Sequence, residues 1–401
     1  MDIYFLLNSL AGGGAERVAV NLSKILPVKR LLLLEREIKY EIPEEKIVFL
    51  SSHTTKTNPI LKTFYIPLYA KNLSQRLEKN SLVISFLERA NYVNILAKPY
   101  SKHRAFISIR MSQLTGRKRH HPYNLLSKLL YPKADMVICV SKSIAEELKT
   151  SYRVPEDKLV VIYNPIFIDD IKELSREPLG EYETIFNYPV LITAGRLTKQ
   201  KGQWYLLRIF KELKKEFPEL KLLILGEGEL KEYLTGLSKD LGLKTYVWDK
   251  DQLSESFDVY FLGFQKNPFK FIARSKLFIF PSFFEGFPNA LAEAMACGTA
   301  VVSADCRSGP REILAPDTDF EYQTKEPEYA EYGILMPVFE VKFKMADEPL
   351  DEVERMWVET LKELLRREEL IEEYGNKALQ RARDFDIEKI TDLWARIIQF
   401  C

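Results

Sequence analysis

Two segments of this 401-residue sequence carry residue types that could grip an anion and hydroxyl groups together. The first is Gly195-Arg196-Leu197-Thr198-Lys199-Gln200-Lys201-Gly202. Its glycines let backbone approach a ligand closely, and Arg196 and Lys201 can set two permanent charges against a diphosphate. Basic loop residues that merely face water are the competing account. The second is Glu285-Gly286-Phe287-Pro288-Asn289-Ala290-Leu291-Ala292-Glu293. Pro288 and Asn289 mark a helix start, so Glu293 falls one turn in while Glu285 stays in the loop ahead. A ligand across that helix end meets a carboxylate on either side, and backbone N–H groups at Gly286, Phe287, Asn289 and Ala290 face its phosphates. Glu293 suits the paired hydroxyls of a ribose, and Glu285 suits the hydroxyls of a sugar. The plainer account is a loop glutamate plus a helix glutamate favoured by the dipole. A third segment, Gly226-Glu227-Gly228-Glu229, fits neither GxGxxG nor GxxxxGK[ST] and reads as an ordinary glycine turn.

These segments need strands to hold them. Apolar runs at 190–194, 222–225, 260–264, 277–280 and 300–303 alternate with helical patterns at 204–217 and 289–296, a strand–helix series. An earlier series has runs at 3–7, 31–34, 82–86, 105–109 and 136–140, with a helix from Glu16 to Leu26 and another capped by Ser141. Open α/β sheets bind ligands at the carboxyl ends of their strands, where all three glycine-bearing loops fall. Two doubly wound Rossmann-like domains are expected: residues 1–168, a linker at 169–188 marked by Pro178 and Gly180, and residues 189–383. The tail, 384–401, reads as a helix that closes the second domain or, on a sharper reading, packs back on the first domain.

Composition agrees with two domains and names no partner. Hydrophobic residues make up 46% of the chain and charged residues 29%, with a formal net charge of +1. Cys139, Cys297, Cys306 and Cys401 show no CxxC, and four histidines without HExxH argue against a zinc site. The opening MDIYFLLNSLAGGG lacks a basic n-region, which suggests a reduced, cytoplasmic protein. Asp249-Lys250-Asp251 and Asp317-Thr318-Asp319 spell DxD, but neither closely follows an apolar strand, so both read as acidic loops.

The sequence resembles the retaining GT-B glycosyltransferases of family GT4. The resemblance is carried by Gly12-Gly13-Gly14-Ala15-Glu16-Arg17, the loop from Gly195 to Gly202, the pair Glu285/Glu293 and the stretch PSFFEGFPNALAEAMACGTAVVSADCRSGPREIL at 281–314. It implies a GT-B fold with two domains facing a central cleft, the first holding an acceptor and the second a UDP-sugar. Arg196 and Lys201 would hold the donor diphosphate, Glu293 the ribose and Glu285 the transferred sugar. Gly13 and Gly14 would let the first-domain loop approach the phosphates. It also implies retention by same-face attack, in which the departing phosphate helps deprotonate the acceptor; no cofactor or metal is expected. The sequence looks most like branches that move hexoses or N-acetylhexosamines onto lipid-diphosphate-linked glycans or other envelope polysaccharides. Many relatives place a histidine after the strand matching 105–109, where this chain has Arg110.

Residues 89–134 hold ten lysines and arginines and no carboxylate. With Tyr123, Leu125, Leu126, Leu129, Leu130 and Tyr131 among them, they read as a basic loop and an amphipathic helix. The expected partner is the anionic inner face of the cell membrane. A solvated face is the plainer account, and no reading motif supports nucleic acid. Rival functions are an epimerase or hydrolase on the same fold, and an inactive sugar- or lipid-phosphate binding module.

Overall fold

The computed structural model describes residues 1–112 and 122–399. It contains two compact units, Met1–Pro165 together with the segment from Glu388 onward, and Ile166–Ile387.

The first unit is built on a parallel sheet of β1 (Ile3–Leu7), β2 (Val28–Leu33), β3 (Ile47–Phe49), β4 (Leu82–Phe86), β5 (Arg104–Ile109), β6 (Met136–Cys139) and β7 (Leu159–Val161). Its strand order is β3-β2-β1-β4-β5-β6-β7. Helices cover both faces, so β1 and β4 are buried along their whole lengths and apolar but for Ser85, whose hydroxyl is bonded to Asn91. The tail returns to this core: on the helix Ile387–Gln399, Ile390, Trp394 and Ile397 are buried with Phe5 and Phe86.

The second unit carries β8 (Val190–Ala194), β9 (Lys221–Leu225), β10 (Thr245–Val247), β11 (Val259–Gly263), β12 (Leu277–Phe280), β13 (Ala300–Ala304), β14 (Glu328–Tyr329) and β15 (Ile334–Met336). The order is β10-β11-β9-β8-β12-β13-β15-β14, parallel except for the edge pair β14–β15. Chain order therefore reverses beside β8, with β9 on one side and β12 on the other. That reversal point is where an open α/β sheet leaves a crevice at its carboxyl edge.

Five short strands, β3, β7, β10, β14 and β15, are absent from the sequence reading, since two or three residues are too few to show a pattern. Residues 169–188, expected to link two domains, contain the helix Ile168–Ser175 and a 3-10 turn, Gly180–Asn187. Each buries a single isoleucine, Ile171 or Ile185, which explains the weak apolar signal.

Candidate active site

The loops that follow β8 and β12 interlock. Phe283 N–H donates to the Gln200 carbonyl at 2.9 Å, and Gln200 Nε2 donates to the Phe284 carbonyl at 2.8 Å. Gly202, at φ +63°, lies so close that a Cβ there would stand 2.6 Å from the Pro281 carbonyl oxygen. These contacts bring Lys201 Nζ within 2.6 Å of Glu285 Oε1 and 4.8 Å from the centre of the Phe280 ring. Glu285 is buried, so its charge needs that partner.

The third glycine loop, after β9, is built into the same cluster. A Cβ on Gly226 would sit 2.0 Å from the Gly195 carbonyl oxygen, and one on Gly228 would sit 2.3 Å from that of Leu197. Leu197 N–H donates to the Glu227 carbonyl at 2.9 Å. This loop, read as an ordinary turn, is thus the support on which residues 195–197 rest. Its sequence signal was the paired glycines.

Arg196 is exposed at the loop tip, and its own carbonyl accepts from Gln203 Nε2 at 3.1 Å. Thr198 Oγ1 and Ser282 Oγ are shielded from solvent yet have no hydrogen-bond partner among the described residues. Buried polar atoms are normally satisfied, so these two call for a partner that the described residues do not supply.

The helix Asn289–Ala296 begins where the sequence placed it. Asn289, Ala290 and Glu293 are partly exposed on it. The loop ahead is braced from β13: Ser308 Oγ donates to the Gly286 carbonyl at 2.9 Å, and Gly309 packs against Pro288. Phe287 is buried with its ring 5.2 Å from that of Phe385. Sequence reading passed over Ser308 and Gly309, although Ser-Gly-Pro before a helix is a turn signal. Burial raises the thiol pKa of Cys297 and Cys306, with the charges of Glu293 and Glu285 adding to it, so both stay neutral.

The DxD segments have structural duties. Asp249 pairs with Lys231, Asp251 Oδ2 accepts from Val247 N–H at 2.9 Å, and Asp319 Oδ1 accepts from Glu321 N–H at 3.0 Å. Among the described residues no group of three or more His, Cys, Asp or Glu is arranged to hold a metal ion.

Residues 12–170 match the family described as Glycosyltransferase Family 4, and residues 177–328 the one described as Glycosyl transferases group 1. An uncharacterized glycosyltransferase of Methanocaldococcus jannaschii is 34% identical over 397 residues, 94% of this chain and 93% of its own. This chain belongs to glycosyltransferase family 4. A relative of the enzyme in Campylobacter jejuni is N-acetylgalactosamine-N,N'-diacetylbacillosaminyl-diphospho-undecaprenol 4-alpha-N-acetylgalactosaminyltransferase, 34% identical over 393 residues and 95% of each chain. The Anabaena protein HepE, solved in complex with UDP-glucose, matches the glycosyltransferase with a TM-score of 0.74 over 100% of both chains. At 18% identity that likeness is one of fold, the GT-B fold of two Rossmann-like domains.

In the first unit of this glycosyltransferase the glycine triplet is held by Glu16. Its Oε2 accepts from Gly12 N–H at 2.7 Å and Gly13 N–H at 2.8 Å, and its Oε1 from Ser9 Oγ at 3.0 Å. The Gly13 amide is thereby committed within the protein, and Gly14 opens the helix Gly14–Ile25. Arg110 follows β5. Its guanidinium lies 5.2 Å from the Phe86 ring centre and bonds Asn164, while Nε and Nη2 are buried with no partner among the described residues. Burial pushes its pKa down to about 9.

The basic stretch is divided. Arg89 pairs with buried Glu35, Lys98 pairs with Asp135 at 2.6 Å, and Arg104 and Arg110 lie at opposite ends of β5. Lys102, Arg104, Lys128 and Lys133 are exposed. Arg117, Lys118, Arg119, His120 and His121 lie outside the described residues. Among the described residues no helix is long and apolar enough to cross a membrane.

Proposed function

We propose that this glycosyltransferase moves a hexose or N-acetylhexosamine from a UDP-sugar to a lipid-diphosphate-linked glycan or related envelope polysaccharide, with retention at the anomeric carbon. The observation that carries this reading is the Lys201–Glu285 contact at the sheet's reversal point. It joins a cation suited to phosphate with a carboxylate suited to sugar hydroxyls. Arg196 and Lys201 receive the diphosphate, Glu285 the sugar and Glu293 the ribose. The amide end of the helix Asn289–Ala296 adds partial positive charge.

In the proposed reaction the bond between the anomeric carbon and the diphosphate oxygen breaks, leaving its electron pair on UDP. A bond from the acceptor hydroxyl oxygen forms on the same face of the sugar, and the hydroxyl proton passes to the departing phosphate. Negative charge grows on that phosphate, so fixed cations beside it lower the barrier more than they tighten ground-state binding. No side-chain base is required.

The donor reading draws support from structural neighbours solved with UDP and UDP-glucose. The acceptor reading draws on two Campylobacter jejuni relatives whose names specify undecaprenol-diphosphate glycans, and on lipopolysaccharide galactosyltransferases. Such an acceptor sits in a membrane, so peripheral attachment to the inner face of the cell membrane through the exposed part of the basic stretch 89–134 belongs to the same proposal. A panel of nucleotide sugars offered with lipid-linked and soluble acceptors tests it, with the product's anomeric configuration read by NMR. Calorimetry with UDP tests the ribose assignment: Glu293→Ala should weaken binding, and unchanged affinity rejects that role.

A further inference from the structure

Helical side chains that point away from a core are usually polar, because folding gains nothing from apolar groups left in water. Two neighbouring elements of the first unit break this rule. The helices Pro59–Phe64 and Ile66–Ser74 follow one another with only Tyr65 between them. Asn58 caps the first, its Oδ1 accepting from Ile60 N–H at 2.8 Å, and Pro59 occupies the first turn, so the sequence fixes where it starts. Ile66, Tyr69, Ala70 and Leu73 face the core. Ile60, Leu61, Phe64 and Leu68 face outward, with Ile60 67% and Phe64 78% exposed. The helix Pro122–Leu130 repeats the pattern: Asn124, Ser127 and Leu130 are buried, while Leu125 and Leu129 are 63% and 57% exposed. A hydrogen bond between Thr63 Oγ1 and Tyr123 OH ties the two elements together.

Along the chain, the charges on these segments have one sign. No aspartate or glutamate occurs from Lys46 to Leu77, a run that includes Lys46, Lys56, Lys71 and Arg76, besides Lys62, which is buried against Glu35. The helix Pro122–Leu130 comes from the second carboxylate-free run. Lys56, Lys71 and Lys128 are exposed beside the apolar residues. A protein partner would fit this composition poorly, since interface cores are depleted in lysine. Outward apolar side chains flanked by lysines are instead what an in-plane helix uses at a bilayer, the apolar groups entering the acyl boundary and the ammonium groups meeting lipid phosphates.

We infer that the helices at 59–74 and 122–130 form a docking surface for an anionic lipid bilayer, with Ile60, Phe64, Leu125 and Leu129 as its inserting side chains. This rests on the reading that the acceptor is lipid-borne. It extends the apolar part of membrane attachment from the basic stretch 89–134 to a segment, 59–74, that lies outside it.

The test is co-sedimentation of the full chain with phosphatidylcholine vesicles, with and without phosphatidylglycerol. Wild type should bind the anionic vesicles only. Ile60→Ser/Phe64→Ser and Leu125→Ser/Leu129→Ser should each bind them about tenfold or more weakly, because each pair removes apolar area from the inserted face. Both variants should keep wild-type UDP affinity. Failure of wild type to bind anionic vesicles overturns the inference, as does equal binding by the variants. A concentration-dependent dimer abolished by the same substitutions also overturns it, by assigning the face to a second copy of the chain. UDP calorimetry contains no lipid, so a failure of the transfer reading shows there while the vesicle result stands by itself.

Discussion

Lys201 Nζ lies 2.6 Å from Glu285 Oε1, although 84 positions separate the two residues and they occupy loops after different strands. Only the sheet order makes them neighbours, because β8 and β12 are adjacent while three strands, β9, β10 and β11, run between them in the chain. Each neutralises the other in a largely buried setting, so an arriving diphosphate would have to share Lys201 with Glu285.

Lys201→Ala should therefore lower kcat by roughly 100-fold or more, the scale seen when a group stabilising the transition-state charge is removed. It should also destabilise the second unit by leaving a buried carboxylate unpaired. Lys201→Ala/Glu285→Ala should be more stable than Lys201→Ala alone. Denaturant midpoints of the four proteins in that cycle, measured beside turnover, separate the two effects.

Gly226→Ala should cost about 2 kcal/mol or more, since the new methyl meets backbone rather than a movable side chain and φ at this position is +132°. Residues 195–197 would have to shift to make room. UDP affinity should fall with stability, whereas Gly236→Ala, with open space around its Cβ position inside the helix Lys231–Asp240, should leave UDP affinity unchanged and raise stability by about 0.5–1 kcal/mol. Calorimetry on the two variants compares them directly.

Arg110 carries buried Nε and Nη2 groups that have no partner among the described residues, a cost set against its bond to Asn164 and its place over the Phe86 ring. Arg110→Met keeps the length, removes the orphaned donors and should leave stability equal or raised by about 1 kcal/mol. Turnover should drop if the guanidinium meets acceptor or donor phosphate. A variant that is both stable and fully active removes Arg110 from the reaction.

His103 sets an acid limit on the first unit. Its Nε2 lies 2.8 Å from Asn94 Oδ1, and Asn94 Nδ2 donates to the carbonyls of Val83 and Phe106, so the ring is buried and neutral. Burial lowers its pKa from 6.5 to about 4. Between those values the unfolded chain binds a proton that the folded chain refuses. Stability contributed by this residue is present above pH 6.5 and is lost as pH falls toward 4, by at most about 3 kcal/mol. Denaturation midpoints across that range should show the slope for wild type, and His103→Gln should flatten it.

Much of this architecture could be read from residues. The runs at 190–194 and 277–280 and the helix at 289–296 stand where their apolar patterns put them, because buried parallel strands are apolar throughout and Pro288-Asn289 announces a helix. What escaped was tertiary. The weight of Gly226 and Gly228 appears only when the Gly195 and Leu197 carbonyls are placed against them, and no local pattern encodes that proximity. Glu16 was legible as part of a motif, but its hold on Gly12 and Gly13 depends on how the loop folds over it. The charge run at 89–134 looked uniform along the chain and proved divided in space, since β5 carries Arg104 and Arg110 to its opposite ends.

The last helix has a consequence for how the molecule is made. Trp394, Ile390 and Ile397 complete the core around Phe5 and Phe86, so strands made before the second unit are sealed by a helix made after it. Until then the early sheet lacks the apolar cover that Trp394 and its neighbours supply, while the second unit can close on its own residues. The order of synthesis and the order of completion thus run in opposite directions, and the half that begins first is finished last.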